Sequence, residues 1–122
     1  MKFYLCEHHG NIITVLGGIK GPANDDGLQE LLPGVTDAAQ EKHVPLVKVE
    51  GSKVCVNVGE VEHPMSQEHR IEWVVLETDQ GWQKKDLRPD TAPTTEFALT
   101  AGEKPLAVYA YCNLHGLWKK VL

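Results

Sequence analysis

The sequence predicts an all-β protein, an antiparallel β-sandwich preceded by a small N-terminal subdomain. Short apolar runs with alternating residues recur from Pro45 onward, and clusters of glycine and other turn formers separate them. Almost no stretch favours a helix. Many short strands at regular spacing are typical of a sandwich. The 122 residues suffice for one domain with a small appendage.

The predicted subdomain covers residues 1–35. Its glycine-rich stretches, HGN, LGGIKGPANDDG and LPG, alternate with apolar runs at 12–16 and 28–32 that are too small to bury a core alone. We therefore expect short strands and turns. The following stretch, TDAAQEKH, predicts one helical turn with Thr36 or Asp37 as its N-cap.

The predicted sandwich covers residues 36–122. PLVKVEGSKVCVNVG has alternating valines on both sides of a turn at 50–52, which predicts a hairpin. HRIEWVVLETDQGWQKKDL predicts a second hairpin, and TEFALT and LAVYAYCN predict two further strands. Cys55 alternates with valines and is expected to be a small packing residue. Three tryptophans are expected to be core or interface aromatics: Trp73, Trp82 and Trp118.

Composition excludes several classes of function. The net charge of -5 disfavours nucleic acid, because binding to phosphates requires a basic face. No segment approaches the roughly 20 apolar residues of a membrane helix. The N-terminus, MKFYLCEHHG, lacks the apolar core of a signal peptide. The expected location is the cytoplasm, with no membrane partner.

Three groups of potential metal ligands flank the predicted strands. They are EKH with His43, HPMSQEH with His63 and His69, and the final pair Cys112 and His115. Loops gather at the ends of a sandwich, so the groups could converge. Four imidazoles and one thiolate do not suit the closed tetrahedron of structural zinc. They suit a reactive iron with one octahedral position open to a small molecule.

Two other interpretations remain open at this point. The chain has an odd number of cysteines, which disfavours a disulfide framework but allows a zinc site. Two Cys-x-x-His pairs could form a structural zinc module with the ligands Cys6, His9, Cys112 and His115. That module leaves the other three histidines unexplained. A metal-free sandwich for protein interaction leaves all of them unexplained.

The motifs EKHVPLV, VEHPMSQEHRIEWV and CNLHGLWK resemble the iron-site motifs of superoxide reductases, the desulfoferrodoxin and neelaredoxin group. The resemblance runs from about Asp37 to Lys119. It implies an immunoglobulin-like sandwich that holds a mononuclear non-haem iron, cycling between Fe2+ and Fe3+. The implied ligands are four equatorial histidines and one axial cysteinate: His43, His63, His69, His115 and Cys112.

The same resemblance implies an activity and two further site residues. The iron would reduce superoxide to hydrogen peroxide, and a rubredoxin-like protein would reduce the iron again. Lys42 would attract superoxide and help deliver protons, and Glu41 could close over the sixth position in the ferric state. Arg70 stands where tyrosine is common and would add positive charge near the mouth of the site. Members of this group commonly form homodimers or homotetramers.

The N-terminal stretch KFYLCEHHGNII resembles the start of a desulforedoxin-type domain, which has Cys-x-x-Cys and a later Cys-Cys pair. Here the first pair reads Cys6-Glu7-His8-His9, and residues 24–27 read NDDG. Only one of four thiolates remains, so an iron-tetrathiolate centre cannot form. We expect a degenerate subdomain that has lost its metal and serves packing or dimerisation.

Overall fold

The computed structural model describes residues 1–18 and 27–122. These residues contain ten strands and one short helix. These residues divide into two units, Met1–Leu32 and Pro33–Leu122. The predicted boundary lies after residue 35. Of the NDDG stretch, residues 24–26 lie outside the described part of the chain.

The first unit is a three-stranded antiparallel sheet in the order β2-β1-β3. Its strands are β1 (Phe3–Cys6), β2 (Ile12–Thr14) and β3 (Leu28–Leu31). The turn after β1 closes when the Gly10 N–H donates to the carbonyl of Cys6 at 2.8 Å. Gly10 has a φ of 71°, a conformation that glycine adopts without a steric penalty.

The second unit contains helix α1 (Gln40–His43) and two antiparallel sheets. The sheets have the orders β4-β5-β8 and β10-β9-β6-β7. Their strands are β4 (Pro45–Glu50), β5 (Lys53–Val58), β6 (Ile71–Thr78), β7 (Gly81–Asp86), β8 (Thr94–Ala98), β9 (Pro105–Cys112) and β10 (Gly116–Val121).

The core lies between these two sheets. Alternate residues of β5, among them Val54 and Val56, point inward and pack with Phe97 of β8 against β6 and β9. Val74 and Val108, from the facing sheet, are fully buried. The structure confirms the predicted all-β, immunoglobulin-like antiparallel sandwich after a small N-terminal unit. It also confirms both hairpins.

Three local expectations were wrong or incomplete. The helical turn begins later than predicted, with Ala39 as its N-cap and no side-chain cap, so neither Thr36 nor Asp37 has that role. Strand β10 was not predicted, because its turn and its two terminal lysines obscure the short apolar run. Trp82 is 41% exposed, so it is not a core residue, and its role as an interface aromatic stays a prediction.

Several polar connecting segments lie together at one end of the sandwich. Helix α1 precedes β4, the 59–70 loop joins β5 to β6, and a short turn joins β9 to β10. Pro45 pairs with Val58, and Cys112 pairs with both Ile71 and Gly116, so these ends are adjacent. Among the described residues, no helix has the length and apolar character needed to cross a bilayer.

Candidate metal centre

His43 lies at the last position of helix α1 and is only 3% exposed. Its Nδ1–H donates to the carbonyl of Ala39 at 2.7 Å, one helical turn earlier. The indole of Trp118 stacks on the imidazole, with ring centroids 4.8 Å apart and planes 29° apart. These contacts fix both the rotamer and the tautomer, because a carbonyl can only accept and the proton must therefore sit on Nδ1.

His63 and His69 come from the 59–70 loop. His63 is 2% exposed, and its Nδ1–H donates to the carbonyl of Pro64 at 2.7 Å. His69 ends a tight turn in which its N–H donates to Ser66 Oγ at 3.1 Å. The Nε2 atom of His69 is buried and has no hydrogen-bond partner within residues 1–18 and 27–122.

Cys112 is the last residue of β9 and is fully buried, and His115 lies in the turn before β10. The Sγ atom of Cys112 lies 3.4 Å from His63 Nε2 and 3.7 Å from His115 Nδ1. The Trp118 indole N–H donates to the carbonyl of His115 at 3.1 Å, which restrains the turn.

The four imidazoles form a closed ring of edge-to-face neighbours in the order 43, 63, 69, 115. Successive centroids are 4.5, 4.7, 5.1 and 5.0 Å apart, and the planes meet at 75° to 85°. One donor atom from each histidine and the thiol sulfur all lie within 4.8 Å of one another. The structure thus brings together the five residues that the resemblance implied as iron ligands, whereas Cys6 and His9 of the alternative zinc module do not belong to the group.

The contact between His43 and His63 has a particular chemical meaning. Their Nε2 atoms are 3.1 Å apart, yet both rings carry their proton on Nδ1. Two neutral imidazoles of this tautomer present lone pairs to each other, and lone pairs cannot hydrogen-bond together. Burial lowers the pKa of His63 to about 4, so this ring is neutral at pH 7. A shared cation satisfies both lone pairs.

The spacing of the donors also distinguishes between coordination geometries. His43 Nε2 lies 3.1 Å from both His63 Nε2 and His115 Nδ1. With metal–nitrogen bonds of about 2.1 Å, neighbouring ligands are about 3.0 Å apart at right angles and about 3.4 Å apart in a tetrahedron. These two nitrogen–nitrogen separations fit the right angle, whereas the sulfur–nitrogen separations of 3.4 and 3.7 Å are longer. A set of five donors exceeds a tetrahedron. The residues therefore fit a metal with octahedral preference.

Burial favours the neutral forms of the His43 and His69 imidazoles and of the Cys112 thiol. Burial lowers the pKa of His43 and of His69, and the nearby His115 adds to the lowering in both cases. Burial raises the pKa of the Cys112 thiol, while hydrogen bonds from the N–H groups of Leu114 and His115 oppose that rise. Those two N–H groups are positioned to stabilise a thiolate.

Glu41 and Lys42 are exposed residues of helix α1, and neither belongs to the donor group. Lys42 is close enough to His69 for its charge to help lower the pKa of that imidazole. The side chain of Arg70 is only 19% exposed, donates to the carbonyl of Gln67 and lies 3.8 Å from Glu72. Its expected positive charge near the mouth of the site stays a prediction.

The zinc module proposed as an alternative uses donors that are already directed elsewhere. Cys112 and His115 point at His63 and His43. In the N-terminal unit, Cys6 Sγ lies 3.9 Å from His9 Nδ1, an exposed pair.

Sequence reasoning did not assign a supporting role to Trp118, Asn113 or Gly59. Trp118 and Asn113 lie within the motif CNLHGLWK, but the contacts through which they support the donors join segments that are far apart in the chain.

A sandwich with four imidazoles and one thiol at one end defines a class, the β-sandwich proteins with a mononuclear metal centre. The family model described as Desulfoferrodoxin matches residues 35–121. The desulfoferrodoxin of Clostridium acetobutylicum is 38% identical, with 98% of this chain and 94% of that protein covered. The desulfoferrodoxin of Nitratidesulfovibrio vulgaris is 40% identical, with 97% and 94% covered. This chain belongs to the desulfoferrodoxin family.

A solved structure shows the same relationship in three dimensions. The superoxide reductase from Treponema pallidum superimposes with a TM-score of 0.80 at 42% identity, covering 98% of this chain and 97% of that one. The 1Fe superoxide reductase from Giardia intestinalis matches with a TM-score of 0.57 at 29% identity, covering 67% and 97%.

Proposed function

We propose that this protein is a superoxide reductase. It converts superoxide to hydrogen peroxide by adding one electron and two protons. The observation that carries the proposal is the pair of lone-pair-bearing Nε2 atoms 3.1 Å apart, at the centre of a five-donor group. Family membership and the likeness to the Treponema pallidum superoxide reductase support the same activity.

Iron is the proposed metal, and its proposed ligands are the five grouped residues, His43, His63, His69, Cys112 and His115. When bound, iron supplies the single electron that superoxide accepts and takes one back from a donor protein. The right-angle spacing of the nitrogens and the number of donors favour iron over structural zinc.

The protein surroundings tune the cysteine. Its sulfur is buried and accepts hydrogen bonds from two backbone N–H groups, those of Leu114 and His115. A thiolate pushes electron density onto a bound metal, and hydrogen bonds to the sulfur moderate that donation. Cys112 is therefore proposed as the residue that sets the reducing strength of the centre.

Two exposed residues of α1 are proposed to act on the substrate. Lys42 offers a cation beside His69 in a protein of net charge -5, so it raises the local concentration of superoxide anion and can hold a proton for the product. Glu41 precedes it in the same helical turn and is proposed to close over the sixth coordination position in the ferric state.

Three further properties complete the proposal. A rubredoxin-like protein is the proposed electron donor, the assembly is a homodimer or homotetramer, and the location is the cytoplasm. The N-terminal unit is proposed to be a desulforedoxin-like remnant without a metal. Its Cys6 and His9 then have no ligand role.

The experiment combines metal analysis with a visible spectrum and superoxide kinetics. Wild-type protein loaded anaerobically with Fe(II) should hold one iron per chain, reduce superoxide, and develop a thiolate-to-iron absorption band on oxidation. Cys112→Ser should lose that band and nearly all of the reductase activity, because a hydroxyl is a poor replacement for the thiolate.

Cys55→Ser and Cys6→Ser are the matched controls, since both thiols lie outside the donor group. Both variants should retain the band and the rate. Retention of the band and the activity in Cys112→Ser contradicts the ligand assignment. A colourless wild-type protein that prefers zinc and requires Cys6 favours the structural zinc module instead.

A further inference from the structure

Asn113 connects the two loops that carry three of the five donors. Its Oδ1 accepts from the N–H of Arg70 at 2.9 Å, and its Nδ2 donates to the carbonyl of Glu68 at 2.8 Å. The main-chain N–H of Asn113 adds a third bond, to the carbonyl of Arg70 at 3.1 Å. Asn113 itself directly follows Cys112 and lies two residues before His115.

The chemistry of the partners fixes the orientation of this amide. The N–H of Arg70 can only donate, and the carbonyl of Glu68 can only accept, so the oxygen and the nitrogen of the side chain each have one possible place. A carboxylate of the same size lacks the donor, and alanine lacks both groups. Asparagine alone among residues of this length satisfies both ends.

These bonds hold the main chain on both sides of His69. The rings of His43 and His63 each have a carbonyl anchor at Nδ1, at 2.7 Å. Within the described part of the chain, the ring of His69 shows no such anchor, and its buried Nε2 has no partner. The position of the His69 imidazole among the four histidine side chains therefore depends on its backbone.

We infer that Asn113 is a positioning residue of the metal centre, which fixes the His69 imidazole relative to Cys112 and His115. The inference rests on the proposed function, because it takes these residues as ligands. Loss of the amide leaves Cys112 and His115 in place, since pairing of β9 with β10 and the Trp118 bond hold them independently. The His69 segment loses two of its bonds and keeps the main-chain bond from Asn113 to Arg70 and the bond from its own N–H to Ser66.

Titration with Co(II) tests this without any measurement of activity. Co(II) shows ligand-field and thiolate charge-transfer bands that report both occupancy and ligand set. Asn113→Ala should bind Co(II) about 10- to 100-fold more weakly than wild type, the usual loss when a residue that supports a metal ligand is removed. The thiolate band should remain. Gln83→Ala is the matched control, since it removes one amide-to-backbone bond, to Ala98, outside the donor group.

A double-mutant cycle shows through which ligand Asn113 acts. In a His69→Ala background, removing Asn113 should cause little further loss, because the imidazole that it positions is already absent. An equal loss in that background overturns the inference, since Asn113 would then act through other donors. Wild-type affinity in Asn113→Ala, or an equal loss in Gln83→Ala, overturns it as well.

A second variant covers the possibility that Asn113→Ala does not fold. Asn113→Asp retains the volume and the acceptor for Arg70 but places a carboxylate oxygen against the Glu68 carbonyl. It should also bind Co(II) more weakly, and wild-type affinity overturns the inference. If the wild type shows no thiolate-bound Co(II), the proposed function fails too. If it does and both Asn113 variants match it, only this inference fails.

Discussion

Lys42 illustrates how one exposed charge can act on a reaction. Superoxide is an anion, and the whole chain has a net charge of -5. A single cation beside His69 changes the local potential that an approaching anion meets. We expect the effect mainly on the encounter with superoxide, because Lys42 is exposed and is not one of the five donors.

Lys42→Ala should therefore slow the second-order reaction with superoxide by up to about tenfold and leave the iron content unchanged. The rate should also depend less on salt, since screening acts over about 8 Å at physiological ionic strength. Stopped-flow or pulse-radiolysis kinetics at several salt concentrations measure both effects. Lys48→Ala, an exposed lysine paired with Glu50, is the control. An unchanged rate removes Lys42 from the mechanism.

Among the elements of the fold, helix α1 depends on a close neighbour. A Cβ on Gly59 would lie 2.7 Å from the carbonyl oxygen of Glu41 and 2.8 Å from that of Val44. Both contacts are with backbone, so no flexible side chain can move aside. The N–H of Val61 donates to the same Glu41 carbonyl at 2.8 Å, which fixes the loop against the helix.

Gly59→Ala should displace α1, and His43 with it. We expect metal affinity to fall about tenfold or more, and the unfolding free energy of the metal-free protein to fall by about 1–3 kcal/mol through overpacking. Chelator competition and denaturant unfolding measure the two quantities. Gly17→Ala is the control, because a Cβ at that glycine meets no atom of the described residues within 4 Å. Unchanged metal affinity in Gly59→Ala would show that α1 is held by other contacts.

The stability of the whole molecule depends on groups buried in the sandwich. Tyr109 is 1% exposed, and its hydroxyl donates to Glu77 Oε1 at 3.0 Å. Burial, followed by the hydrogen bond and the charge of Glu77, raises the pKa of Tyr109 above its ordinary value of 10.0. The folded protein therefore retains the phenol proton at pH values where the unfolded chain has lost it.

The raised pKa of Tyr109 determines how the stability of the protein changes with pH. A raised pKa in the folded state contributes stability that is complete below pH 10 and is lost as the pH rises further. The expected loss from Tyr109 is about 1.4 kcal/mol for each pH unit above 10. Tyr109→Phe should be less stable at pH 8 by about 1 kcal/mol, the contribution of a hydrogen bond. The difference in unfolding free energy between wild type and Tyr109→Phe should shrink between pH 10 and 11, as measured by denaturant titrations. A constant difference contradicts this account.

The sequence by itself determined most strands of the sandwich, both hairpins and, through three motifs that resemble a known family, the residues named as iron ligands. Alternating valines are sufficient for the strands, because the periodicity of a strand and its turns are local properties. The same local reasoning failed at the start of α1, where Ala39 precedes the helix without a side-chain cap. Local reasoning also failed to predict strand β10.

Only the tertiary structure decided how the ligands are supported. His43 and His115 are 72 positions apart in the chain and have donor nitrogens 3.1 Å from each other. Trp118 stacks on His43, and Asn113 bonds to the backbone on both sides of His69. These contacts arise because pairing of the strands brings their ends together. No local pattern of residues encodes contacts between loops that are distant in sequence.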